Sequence, residues 1–200
     1  MNFLAHFHLA WPDPGLVAGG LEGDYYKGPI GDDLSAHVAR GVNLHRAIDA
    51  YTDSHPIVAE LRQHFPPELR RYAGILIDLS FDHYLSNHFE QFSEVTLTTF
   101  AEQVYGTLKS EEANLSSAAL GMSGRLLEFD ILNRYRDWQM VSLSAAQIGK
   151  RFKRGNPLTN IDTQLIPLKD PIETAFLAFY PLLLSFAKQY QATPSPPQPR

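Results

Sequence analysis

The chain has 200 residues, of which 44% are hydrophobic, 20% charged and 12% aromatic, and its formal net charge at pH 7 is −5. That length suits one domain with a substantial core. The negative net charge argues against a nucleic-acid binder. The chain contains no cysteine. This excludes disulfides, thiolate metal sites and a cysteine nucleophile, and it is consistent with a reducing compartment.

The N-terminal segment and the most apolar segment both favour a soluble cytoplasmic protein. The opening MNFLAHFHLAWPDP has no lysine or arginine ahead of its apolar part, which is not typical of a secretory signal. The longest apolar run, AFLAFYPLLLSFA at 175–187, has thirteen residues including a proline and is too short for a membrane span. We therefore expect a buried helix there, and no membrane association.

Periodic apolar segments predict helices almost throughout the chain. In order they are 16–26, 32–53, 56–65, 66–92, 96–110, 116–138, 142–155 and 171–190. Pro56 suits a first helical turn, Ser142 a cap and Gly155 a stop. No run of alternating β-branched residues predicts a sheet. The sequence thus predicts an all-α protein, a single domain of seven or eight helices over 1–192, with a disordered Pro-rich tail at 193–200.

Four stretches concentrate side chains that could bind a metal. They are NFLAHFH with His6 and His8, GLEGDYYKG with Asp24, GVNLHRAIDAYTDSH with His45, Asp49 and Asp53, and IDLSFDHYLSNH with Asp78, Asp82, His83 and His88. A mixture of imidazole and carboxylate without thiolate favours Mn, Mg or Fe over a structural zinc site.

Spacing within these stretches leaves their role open. His45, Asp49 and Asp53 are each four residues apart, so they would line one stripe of a helix, either solvated or facing inward. Asp78 and Asp82 have the same spacing inside the strongly apolar ILIDLSFD. A buried carboxylate must be protonated, paired or bound to a cation, so we expect this second pair to face inward.

The motifs MNFLAHFHL, GDYYKG, HRAIDAYTD and DLSFDHYLSNH together resemble the bacterial acyl carrier protein phosphodiesterases, also called holo-ACP hydrolases. The resemblance is strongest up to about residue 90 and continues more loosely through NRYRDW (133–138) and FLAFYP (176–181). It implies an all-helical fold distantly similar to the HD phosphohydrolases and a divalent metal, usually Mn²⁺, with Mg²⁺ or Fe²⁺ as alternatives. The implied reaction removes 4′-phosphopantetheine from the serine of holo acyl carrier protein.

The resemblance also implies roles for individual residues. The implied metal ligands are His6, Asp24, Asp78 and Asp82, and the implied catalytic residues are His45, Arg46, Asp49 and His83. His45 would protonate the leaving serine oxygen or bind phosphate, and Arg46 would neutralise phosphate charge. The alternative for Arg46 is an ion pair with Asp49 or Asp53 on its own helix. Asp53 itself is interpreted as structural.

Residues 134–154 contain six basic side chains against one acidic side chain, Asp137. The six are Arg134, Arg136, Lys150, Arg151, Lys153 and Arg154. Carrier proteins as a class present acidic helices around their modified serine, so the resemblance implies a docking surface for an acidic carrier protein. The alternative is a solvated helix end, where basic residues complement the C-terminal dipole.

Two other functions could use the same residues. An HD-like enzyme could hydrolyse a small phosphoester or a nucleotide with the same metal centre. A non-catalytic helical binding module could instead keep its polar residues paired with one another. A di-iron bundle oxidase is disfavoured, because the chain has no Glu-x-x-His motif.

Overall fold

The computed structural model describes residues 1–31 and 33–193 of the chain. Those residues form helices and connecting turns, without a β-strand among them, which confirms the predicted all-α class. The helices are α1 (Phe3–Ala10), α2 (Pro14–Glu22), α3 (Ala36–Ser54), α4 (Pro56–His64), α5 (Ala73–Asn87), α6 (Leu97–Ser110), α7 (Ser117–Glu128), α8 (Ile131–Arg134), α9 (Gln139–Gly149), α10 (Asp162–Leu165) and α11 (Lys169–Ala192).

The helices are slightly more numerous than the seven or eight predicted. Short helices such as α8 and α10, of four residues each, carry too little periodic pattern to be predicted from sequence. The predicted helix at 66–92 is shortened to α5, with short 3₁₀ turns at Arg70–Tyr72 and Phe89–Gln91 on either side. The part of the predicted tail at 194–200 lies outside the described residues.

Local signals explain several helix ends. Pro14 occupies the first turn of α2, and Asp13 caps that helix by accepting a hydrogen bond from the Leu16 N–H at 3.1 Å. The predicted helix at 116–138 divides into α7 and α8 because Asp130 takes a left-handed conformation, with φ of 45°. Aspartate tolerates that conformation better than most residues do, so the chain can turn there.

α2 and α3 pack with their backbones close together. A Cβ added to Gly19 would lie 2.3 Å from the Val38 carbonyl oxygen, and one added to Gly41 would lie 2.7 Å from the Gly19 Cα. Only glycine fits at these two positions. The close approach brings the end of α2 against the part of α3 that carries His45 and Asp49.

α1 is enclosed by the rest of the fold. It packs against α2, α3, α5 and α11, and its Leu4 and Phe7 side chains are fully buried. A polar side chain on this helix is therefore surrounded by other elements and must find its partners among them. None of the helices in residues 1–31 and 33–193 has both the length and the apolar character that a membrane span requires.

Candidate metal centre

Three residues predicted to be functional meet at the junction of α1 and α3. His6 lies on α1, whereas His45 and Asp49 lie four residues apart on α3. His6 Nε2 is 3.2 Å from Asp49 Oδ1, and His45 Nε2 is 3.2 Å from Asp49 Oδ2. One potential ligand atom from each residue lies within 4.8 Å of the other two, an arrangement that could hold one divalent cation. We call these three residues the His–His–Asp cluster.

His6 is buried and lacks a satisfactory hydrogen-bond partner. Its side chain is 2% exposed, and within the described part of the chain neither ring nitrogen makes a well-oriented hydrogen bond. Burial and the neighbouring His45 lower the pKa of His6 to about 3, so the ring is neutral and has a lone pair to donate. A buried polar nitrogen without a partner is costly, and a bound cation would satisfy it.

His45 is oriented by the backbone of α2. Its Nδ1 lies 2.9 Å from the Gly20 carbonyl oxygen, and because a carbonyl only accepts, Nδ1 donates there and Nε2 is left for the cluster. The His45 ring also fits tightly against the end of α2, since a Cβ added to Gly23 would lie 2.4 Å from its Cγ. α2 thus determines both the orientation and the position of the His45 ring.

Asp49 is the partly exposed member of the cluster, with 43% of its side chain accessible. Burial raises its pKa, but the contacts from His45 and His6 outweigh that effect and hold the pKa of Asp49 well below its ordinary value. The carboxylate is therefore ionised at neutral pH. Its exposure leaves one side of the cluster accessible to a substrate.

Two further carboxylates border the cluster. The N-terminal amine of Met1 donates to Asp78 Oδ1 at 2.8 Å and lies 3.5 Å from Asp49 Oδ1. Burial raises the pKa of both Asp78 and Asp24, and the charge of Asp49 raises each further. Asp24 directly follows Gly23, which packs against the His45 ring. Neither Asp24 nor Asp78 belongs to the three-donor cluster found among the described residues.

The whole chain also resembles known proteins. A family model for acyl carrier protein phosphodiesterase matches residues 1–183. The chain is 31% identical over 192 residues to an acyl carrier protein phosphodiesterase of Enterobacter sp. (strain 638), an alignment that covers 96% of this chain and 100% of that protein. It is 32% identical over 194 residues to one from Escherichia coli (strain K12 / DH10B), covering 94% and 98% of the two chains.

The chain belongs to the acyl carrier protein phosphodiesterase family. The resemblance noted from its motifs is thereby confirmed, as is the predicted enzyme class, since a phosphodiesterase is a phosphodiester hydrolase. No solved structure is significantly similar to this chain, so the distant similarity to HD phosphohydrolases stays a prediction.

In this phosphodiesterase family member Asp82 supports α1. The carboxyl group is completely buried and accepts hydrogen bonds from the backbone N–H groups of Leu4 and Ala5 at 2.8 and 3.1 Å. Such first-turn N–H groups have no partner within their own helix, so Asp82 caps α1 from α5. These contacts favour a role in holding α1, and with it His6, and the predicted ligand role of Asp82 stays a prediction.

Arg46 and His83 have partners outside the cluster. Arg46 Nη2 donates to the Tyr26 carbonyl oxygen at 3.0 Å, and neither ion pair considered for it occurs among the described residues. His83 Nδ1 lies 2.8 Å from the Tyr135 carbonyl oxygen. Of the eight predicted ligand and catalytic residues, three therefore form the cluster and two, Asp24 and Asp78, border it. The other three, Asp82, Arg46 and His83, contact residues outside the cluster. The cluster combines one predicted ligand with two residues predicted to be catalytic.

The six basic residues predicted to dock a carrier protein are all exposed, and their docking role stays a prediction. Arg134 and Arg151 line a groove of about 790 Å³ that also includes Asp24. Arg136 instead lines a separate hollow beside His88. The other three, Lys150, Lys153 and Arg154, belong to neither lining.

The sequence did not indicate two features of the site. Gly20 and Gly23, which look like weak points of a helix when only the sequence is read, orient and accommodate His45. Arg125, on the last turn of α7, lines the same groove as Arg134 and Arg151. The glycine spacing could have suggested a close helix contact, but nothing around Arg125 distinguishes it from an ordinary basic residue at a helix end.

Proposed function

We propose that this protein is a metal-dependent phosphodiesterase that hydrolyses holo acyl carrier protein, releasing 4′-phosphopantetheine and the apo carrier protein. The observation that carries the proposal is buried His6, whose ring nitrogens make no well-oriented hydrogen bond within residues 1–31 and 33–193 while its ring faces His45 and Asp49. The names of the relatives, which are acyl carrier protein phosphodiesterases, support the choice of substrate.

His6, His45 and Asp49 would hold the cation. Two imidazoles and one carboxylate suit Mn²⁺ or Fe²⁺, and we propose Mn²⁺. When bound, a divalent cation there would withdraw charge from a phosphate oxygen and make a nearby water more acidic. Asp24 and Asp78, which border the cluster, are proposed to accept hydrogen bonds from water and so to orient it towards phosphorus.

The proposed reaction balances as a simple hydrolysis. The oxygen of water forms a bond to phosphorus, and the bond between phosphorus and the serine oxygen breaks. One proton of the water is lost to a carboxylate or to solvent, and the serine oxygen regains a proton as it leaves. The cluster residues contribute by positioning the phosphodiester, and the partly exposed side of Asp49 is where it would enter.

The test is to incubate the purified protein with holo carrier protein and Mn²⁺ and to follow the mass of the carrier protein. We expect loss of the phosphopantetheine moiety, and none in EDTA or with Asp49→Asn. A matched control is Asp53→Asn on the same helix, because Asp53 pairs with Arg62 at the surface and lies outside the cluster. Parallel reactions with Fe²⁺ and Mg²⁺ test the choice of metal.

Two results would overturn the proposal. If the carrier protein stays intact while free nucleotides or small phosphoesters are cleaved, the protein is an HD-like phosphohydrolase of another specificity. If no substrate is cleaved and no divalent metal binds, the chain is a non-catalytic helical module whose polar residues only satisfy one another.

A further inference from the structure

A large groove is lined mainly by residues of α7, α8 and α9. Three of its lining residues are direct neighbours of site residues: Asn2 follows Met1, Asp24 follows Gly23, and Leu79 follows Asp78. The groove has a volume of about 790 Å³. One of these lining residues, Asp24, borders the cluster, so the groove reaches the edge of the cluster.

The groove wall is mainly apolar but carries polar groups at intervals. Met122, Ile131, Met140 and Ile148 contribute apolar surface, whereas Ser144 and Gln147 contribute hydrogen-bonding groups. Phe129 and Leu143 also line it and are 46% and 47% exposed. Large apolar side chains this exposed indicate a surface that a ligand or partner covers.

Three arginines from three different elements converge on the groove. Arg125 comes from α7, Arg134 from α8, and Arg151 from the turn after α9, and among the described residues none of them forms an ion pair. Arg125 and Arg151 line the same groove as Tyr25, the neighbour of Asp24. Burial and Asp24 raise the pKa of Tyr25, while Arg151 and Arg125 act against that shift. Positive charge therefore lines the groove that also contains Asp24 and Tyr25.

We propose that this groove binds the phosphopantetheine arm of the substrate, with Arg125 and Arg151 attracting its phosphate. The proposal rests on the proposed function above. A phosphopantetheine arm is long and linear, with a charged phosphate at one end, then amides separated by short apolar segments. The groove offers groups that match each part of the arm: arginines for the phosphate, and apolar surface with isolated polar side chains for the rest.

The proposal separates two basic residues that sequence reasoning grouped together. Arg151 lines the groove, whereas Arg154, three positions later and equally exposed, does not. A general basic docking surface would use both. Of these two residues, a groove for the arm uses only Arg151.

The experiment compares variants on holo carrier protein and on bis(4-nitrophenyl) phosphate, a small diester without the arm. Gln147→Trp should obstruct the groove, and Gln139→Trp, on the same helix but outside the lining, is its matched control. We expect Gln147→Trp to raise KM for holo carrier protein about tenfold or more, while Gln139→Trp does not. Hydrolysis of the small diester should be the same in both.

Charge reversal gives a second readout that does not depend on fitting a large side chain. Arg151→Glu should raise KM for holo carrier protein at least as strongly as Gln147→Trp does, and Arg154→Glu should leave it near the wild-type value. Equal effects of Arg151→Glu and Arg154→Glu, or equal behaviour of the two tryptophan variants, would overturn the groove assignment while leaving the proposed function intact.

Failure of the proposed function has a different signature. It would appear as an absence of carrier-protein cleavage by the wild-type enzyme. In that case calorimetric titration with free 4′-phosphopantetheine decides the groove assignment. Binding to wild type that weakens in Gln147→Trp supports it, and no binding to wild type overturns it.

Discussion

The imidazole rings of His6 and His45 stack face to face, with centroids 3.9 Å apart and an angle of 14° between their planes. The two residues lie on different helices and are joined by no direct hydrogen bond among the described contacts. Both Nε2 atoms lie 3.2 Å from the oxygens of one carboxylate, Asp49. Burial and the neighbouring His45 ring disfavour protonation of His6, so its ring is suited to donate a lone pair to a cation.

The first prediction concerns metal binding by His6. His6→Ala removes one donor of three, so Mn²⁺ should no longer raise the melting temperature of the protein. In the wild type, a cation at about 100 times its Kd should stabilise the fold by about 2.7 kcal/mol. Differential scanning fluorimetry with Mn²⁺ and with EDTA measures the difference.

The control for His6→Ala is His37→Ala. His37 is 45% exposed and pairs with Glu111 away from the cluster. It should keep the full response to Mn²⁺. A His6→Ala variant that is stabilised by Mn²⁺ as much as wild type would show that the ion, if any, binds elsewhere.

The second prediction concerns the fit between Gly23 and His45. An alanine methyl at position 23 would lie 2.4 Å from the His45 ring, so Gly23→Ala should displace the ring without removing any donor. Because supporting residues of metal sites typically contribute about 10- to 100-fold in affinity or activity, we expect a loss of that size. Mn²⁺ titration and carrier-protein cleavage measure it.

Gly106→Ala is the matched control for that change. Gly106 lies within α6, and a Cβ there would meet nothing within 4 Å. It should leave metal affinity unchanged and stabilise the protein by about 0.5–1 kcal/mol through helix propensity. Equal metal affinity in Gly23→Ala and Gly106→Ala would contradict the proposed role of Gly23.

The third prediction concerns the pH dependence of stability at Asp82. Burial raises the pKa of Asp82 to about 7, although the Leu4 and Ala5 N–H groups act against the shift. In the unfolded chain the pKa is about 3.9, so the folded state binds the proton more tightly. The stabilisation that comes from this proton is complete below about pH 4 and is lost as pH rises through 7.

Asp82→Asn removes that titration while keeping the size of the side chain. We therefore expect Asp82→Asn to reduce the free energy of unfolding more at pH 5 than at pH 8. Urea unfolding in EDTA at the two pH values measures this without a contribution from metal binding. If Asp82→Asn reduced the free energy of unfolding equally at pH 5 and pH 8, Asp82 would have the same pKa in the folded and unfolded states.

The fourth prediction concerns the contact between α2 and α3. Gly19→Ala places a methyl group 2.3 Å from the Val38 carbonyl oxygen, where both partners are backbone and cannot move aside cheaply. Overpacking of this kind costs about 1–3 kcal/mol, or more where helices must separate. Urea unfolding should detect the loss, and Gly106→Ala again serves as the control. A Gly19→Ala variant as stable as wild type would mean that the two helices can separate freely.

Sequence alone determined the features that depend on local geometry. A four-residue interval places His45 and Asp49 on one face of a helix wherever that helix lies, because the helical repeat is a property of the backbone. Apolar periodicity likewise identified the all-α class, and the motifs identified the family. Helix ends were less predictable, as at Asp130, where a single left-handed residue divides a segment that reads as continuous.

Only the tertiary structure decided which of the polar residues meet. His6 reaches α3 because α1 packs against both α3 and α5, and Asp82 on α5 caps α1 through a contact 78 residues apart in the chain. Arg125 joins Arg151 in one groove for the same reason. Residues on one helix share a face because the helical repeat places them there. Residues on different helices meet only where the side chains between those helices pack together. That packing depends on the shape of the whole interface.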